Sequence, residues 1–64
     1  MKKEMIADIV NEIENFGECF IGTVEVQGLV VFKRFEKVRK AYEKANEGYT
    51  LAYDSKTGMA WEVR

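Results

Sequence analysis

The sequence predicts a small α+β domain, an antiparallel sheet packed against two helices in the order α-β-β-α-β-β. Three observations carry that reading. Apolar residues recur at helical spacing in two separate stretches. Between and after them the pattern changes to alternating β-branched and aromatic residues. The chain has 64 residues, 47% of them hydrophobic. That is room for one domain over residues 1–64, and too apolar for a disordered tail.

The first helix is predicted over Lys2 to Phe16. Met5, Ile6, Ile9, Val10, Ile13 and Phe16 fall on one face at 100° per residue, with Glu4, Asp8, Asn11, Glu12 and Asn15 outside it. Gly17 follows, where a left-handed cap calls for glycine. From Cys19 to Lys33 the period changes. Phe20, Val24 and Val26 alternate with Ile21, Thr23 and Glu25, and Gln27-Gly28 interrupts a run ending Leu29-Val30-Val31-Phe32. This reads as a hairpin turning at Gln27-Gly28, with Val26 opposite Leu29, Val24 opposite Val31, and Val30 and Phe32 on the other face. The second helix is predicted over Lys33 to Glu47, with Phe35, Val38, Tyr42 and Ala45 as its apolar stripe and Asn46-Glu47-Gly48 as its stop. Val31 also fits that stripe. A helix starting near Leu29, which gives α-β-α-β-β, is therefore the alternative.

The last segment reads as a second hairpin. Tyr49, Leu51 and Tyr53 alternate with Thr50, Ala52 and Asp54, and Met59, Trp61 and Val63 alternate with Ala60, Glu62 and Arg64. Asp54 to Gly58 forms the turn, with an Asp acceptor at its start and glycine at its close. Tyr49, Tyr53, Met59 and Trp61 are expected on one face, against a helix. If helices cover one side of the sheet, Ile21, Val30 and Phe32 are left as an apolar patch on the other. This element order is too generic to single out a family.

The composition argues against catalysis. There is no His, and the single Cys19 has no imidazole to activate it. One Cys cannot make an internal disulfide, and one Cys without His cannot build a zinc site, so no metal or cofactor is expected. Cys19 reads as a small buried apolar residue. Ser55 beside Lys56 is ordinary turn chemistry, and the five glycines are too scattered for a phosphate loop. No apolar run approaches the roughly 18 residues of a membrane span. The start leads into acidic amphipathic sequence rather than a signal core. A cytoplasmic, non-membrane protein is the expectation.

Charge is segregated although the net is −1. Residues 1–32 hold six acids and two bases, net −4, and residues 33–64 hold eight bases and five acids, net +3. Glu4, Asp8 and Glu12 stand four apart on the first helix and repel one another. Lys33, Lys37, Lys40 and Lys44 fall within about 60° of one another on the second helix, opposite its apolar stripe. Such a stripe solvates a packed helix in any case. It also suits docking on an acidic protein face better than on phosphate, because Arg34 alone adds an arginine at its shoulder. The candidate partner-binding residues are therefore Lys33, Lys37, Lys40, Lys44, Ile21, Val30 and Phe32. The expected function is a small non-catalytic module that binds a protein as an inhibitor, adaptor or regulator, a class that includes phage and mobile-element inhibitors of host systems. A domain this small also invites a homo-oligomer. A nucleic-acid binder using the lysine helix ranks second. A small-ligand sensor with Trp61 and Tyr53 walling a pocket ranks third.

Overall fold

The structure is a computed structural model and describes residues 3–64. Along the chain run α1 (Lys3–Phe16), β1 (Glu18–Phe20), α2 (Val24–Gln27), α3 (Val30–Ala45), β2 (Thr50–Tyr53) and β3 (Met59–Val63). Lys2 lies outside the described residues. The strands form an antiparallel sheet in the order β1-β3-β2. The α+β class stands. Helices cover one sheet face, and the core between the layers is centred on Ile13, Val38, Tyr42, Leu51 and Ala60.

α1 ends as its sequence implies. Gly17 takes φ +85°, and its N–H closes on the Ile13 carbonyl at 2.7 Å. α1 and α3 run parallel. Met5 at the start of α1 lies beside Val30 and Arg34 at the start of α3. At the far ends, Asn46 Nδ2 donates to Glu14 Oε2 at 2.9 Å.

The predicted first hairpin is not formed. Its first strand stops at Phe20, Val24 to Gln27 make one helical turn, and α3 begins at Val30 rather than Lys33. Local capping and distant burial combine against the hairpin. The Thr23 hydroxyl accepts from Val26 N–H at 3.2 Å, which starts a turn that Gly28, at φ +74°, closes onto the Val24 carbonyl. Val31 then joins Val38 and Tyr42 on the buried stripe of α3 at 0% exposure. Burying that side chain outweighs the β preference of Val30-Val31-Phe32.

The segment after β1 needs no strand partner, because its backbone groups find others. Ile21 N–H donates to Gly58 O (2.8 Å), and Val24 N–H to Ser55 O (3.2 Å). Arg34 Nη1 donates to Ile21 O (2.8 Å), and the Tyr53 hydroxyl to Gly22 O (2.5 Å).

The β2–β3 hairpin forms with the predicted turn. The Asp54 carboxylate accepts from Lys56 N–H at 2.8 Å, and Gly58 takes φ +80°. Its register corrects the predicted faces. Tyr53 pairs with Ala60 and Ala52 with Trp61. Odd positions of β2 thus face the same way as even positions of β3, because the four residues Ser55–Gly58 separate Asp54 from Met59. One residue of register turns every side chain over. Leu51, Tyr53 and Ala60 point to the helices, with Cys19 from β1. Met59, Trp61 and Val63 point away.

Candidate functional site

The sheet face away from the helices is open. β1 places Glu18 and Phe20 on it, β3 places Met59, Trp61 and Val63, and β2 places Ala52, whereas the Thr50 hydroxyl turns round the sheet edge to Glu43 on α3. Phe20 is 60% exposed and Trp61 37%. Glu18 is the one ionisable residue that strand alternation puts there, at the edge. Phe20 lies across Gly58, where an added Cβ would meet its ring at 2.4 Å and the Gly22 carbonyl oxygen at 2.9 Å. The aromatic ring takes the place of a side chain that the turn cannot carry.

An open sheet face with apolar side chains was expected, but not with these residues. Ile21 is buried, because it follows β1 into the core cluster, while its backbone carbonyl accepts from Arg34. Val30 is 55% exposed on the first turn of α3, not on the sheet. Phe32 is also on α3 and meets Tyr53 edge-on, with ring centroids 6.0 Å apart at 85°. Phe35 stacks on the same Tyr53 ring at 5.1 Å. Trp61 and Tyr53 lie on opposite faces of the sheet, so they cannot wall one pocket. A count of the residues between β2 and β3 is the signal that would have put Met59 and Trp61 on the face opposite Tyr53; Phe20 joins them through the β1–β3 pairing, which no local signal gives.

The four lysines do come together. Lys33, Lys37, Lys40 and Lys44 are all exposed along α3, spanning about 16 Å at 1.5 Å per residue. Among the described residues the only ion pairs are those of Arg39 with Glu36 (2.9 Å) and Glu43 (2.8 Å). The Arg39 hydrogen bond holds the Glu36 carboxyl below its usual range. The Thr50 hydroxyl, then Arg39, does the same for Glu43. The acids on α3 nearest the stripe are thus engaged by Arg39, and the four lysines pair with no carboxylate among the described residues. Between α1 and α3 lies an open groove of about 620 Å³. Ile6, Val10 and Ala41 form its floor, and Lys37 and Lys40 stand on its α3 side.

Cys19 is buried as expected, and its thiol donates to Glu12 Oε2 at 3.0 Å. Burial, that hydrogen bond and the carboxylate's charge push the thiol up to about 12. It is the opposite of an activated nucleophile. The Tyr42 hydroxyl donates to the Glu62 carboxylate, and burial followed by that carboxylate raises its pKa. Among the described residues no three Cys, Asp or Glu side chains converge to hold a metal, and no helix is long and apolar enough to cross a membrane. Compared with protein-family models, curated proteins and solved structures, the chain matches none of them.

Proposed function

We propose that the protein is a small non-catalytic module that acts by binding another protein, as an inhibitor, adaptor or regulator. One observation carries the reading. Phe20, Met59, Trp61 and Val63 are gathered on a single sheet face whose strand positions hold only one ionisable residue. Depletion of charge with enrichment of aromatic residues and Met is the composition of an interface core.

The occupant is a different protein rather than a second copy. Three strands about 4.8 Å apart, with β3 five residues long, give a face of roughly 240 Å². A standard interface buries about 800 Å² per partner. Two copies stacked on this face alone fall well short of that. A larger partner that seats an apolar surface on the face and reaches past its edges does not.

Trp61 is the only tryptophan, so it reports directly on this face. A partner is isolated by affinity capture from the native cell with nuclease present, then purified and titrated. Docking on the sheet shifts Trp61 emission to shorter wavelength, and Phe20→Ser weakens the complex at least tenfold, about 1.4 kcal/mol. A complex that nuclease destroys, or one that Phe20→Ser and Trp61→Ser leave at full affinity, refutes docking on this face. A melting temperature that rises with the protein's own concentration would put a second copy there instead.

A further inference from the structure

The other side of the molecule carries a second, chemically different surface. We infer that the groove between α1 and α3 takes an acidic amphipathic helix from a partner protein, its apolar stripe on Ile6, Val10 and Ala41 and its acidic flank against Lys37 and Lys40. This surface is independent of the sheet face, which lies beyond the helical layer.

Three features select that occupant. The first is the lining. The floor is apolar, and the small side chains Ala7, Ala41 and Ala45 leave space above the helix backbones for large apolar side chains to enter. The second is the walls. Both are α-helices, whose backbone N–H and C=O groups are already paired within the helix. They offer an extended peptide nothing to bond with, so a segment seated in the groove must satisfy its own backbone, which a helix does. The lined stretch, Ile6–Glu14 on α1 and Lys37–Ala45 on α3, is about 12 Å long at 1.5 Å per residue, or about two helical turns.

The third feature is charge. Lys37 and Lys40 stand on the α3 rim, and Lys33 and Lys44 continue the same exposed stripe on either side of them. None has an ion pair within the described residues. Among the described residues the one acid lining the groove, Glu14, accepts a hydrogen bond from Asn46 at 2.9 Å. A carboxylate flank on the incoming helix meets cations that have no ion-pair partner among the described residues, whereas a basic flank is repelled. Phosphate is a poorer match. Of the two arginines on α3, Arg34 is committed to the Ile21 carbonyl and Arg39 to two carboxylates, and an apolar groove floor offers a nucleic-acid backbone nothing.

Fluorescence anisotropy at physiological salt tests this with the full chain and three labelled synthetic peptides of 18 residues. One carries a leucine stripe at i, i+3, i+4, i+7 flanked by Glu. One has the same stripe flanked by Lys. One has the acidic composition in shuffled order. The acidic amphipathic peptide is expected to bind at least tenfold more tightly than either control. Ala7→Glu, at an exposed groove position, is expected to remove that binding. The double variant Lys37→Glu, Lys40→Glu is expected to invert the preference toward the basic peptide. Circular dichroism verifies that each variant keeps its helices. Equal binding of the acidic and basic peptides, no saturable binding of the acidic one, or binding unchanged by Ala7→Glu overturns the inference. Loss of peptide binding in Phe20→Ser with retention in Ala7→Glu moves the contact to the sheet face, and then protein binding stands while the groove does not. A sub-micromolar complex with single-stranded RNA that the double lysine variant abolishes would assign the stripe to nucleic acid and also overturn it.

Discussion

Val30 and Val31 are adjacent, chemically identical and equally strand-prone, yet the fold treats them oppositely. Val31 is fully buried on the core stripe of α3, whereas Val30 is 55% exposed on its first turn. Val31→Ala removes two buried carbons, a transfer loss of about 1.6 kcal/mol at 0.8 kcal/mol per carbon. The cavity left behind adds to that. Alanine's better helix propensity returns up to about 0.7 kcal/mol. A net destabilisation of about 1.5–2.5 kcal/mol is expected, or roughly 6–20 °C in Tm for a domain of this size. Val30→Ala loses little packing and gains the same propensity, so it should be neutral or stabilising by a few tenths of a kcal/mol. Urea denaturation followed by circular dichroism at 222 nm measures both. A hairpin over these residues would place the two valines on opposite sheet faces and make both substitutions costly in strand pairing. Similar losses for Val30→Ala and Val31→Ala would therefore refute the helical assignment and the core built on it.

Cys19 predicts a pH dependence with a definite sign. Its thiol is pushed from an ordinary 9.0 to about 12 in the folded chain, so the unfolded chain releases that proton first as pH rises. The protein should lose stability from about pH 9 up to about pH 12, and Cys19→Ala should show a flatter profile over that window. At pH 7 the folded thiol should alkylate more slowly than free cysteine; faster alkylation would contradict its burial beside Glu12. Gly58→Ala and Gly17→Ala separate conformation from contact. Both glycines are at positive φ, which costs an L-residue about 1–2 kcal/mol. An added Cβ meets nothing within 4 Å at Gly17 but collides with Phe20 and the Gly22 carbonyl at Gly58. Gly58→Ala should thus lower Tm clearly further, and equal losses would mean that Phe20 does not rest on that turn.

Much of this architecture was legible along the chain because it is locally encoded. The apolar spacing of α1, its stop at Gly17, the Tyr42 stripe of α3, the Asp54–Gly58 turn and the burial of Cys19 each depend on residues a few positions apart. The lysine stripe is equally local, since one helix sets its geometry. Three outcomes needed the tertiary structure. Val24–Phe32 satisfies a strand pattern and a helix pattern at once, and the choice rests on Val31 being buried on α3 beside Val38 and Tyr42, next to the distant Gly22 loop. The open face became Met59 and Trp61 because an even-numbered turn pairs odd with even positions of β2 and β3, and Phe20 joined them because β1 pairs it with Met59 across 39 residues of chain. The groove exists because α1 and α3 run side by side in the same direction, which brings Ala7 of one helix near Ala41 of the other. Periodicity states which face of an element is apolar, whereas contacts between distant segments decide what that face meets.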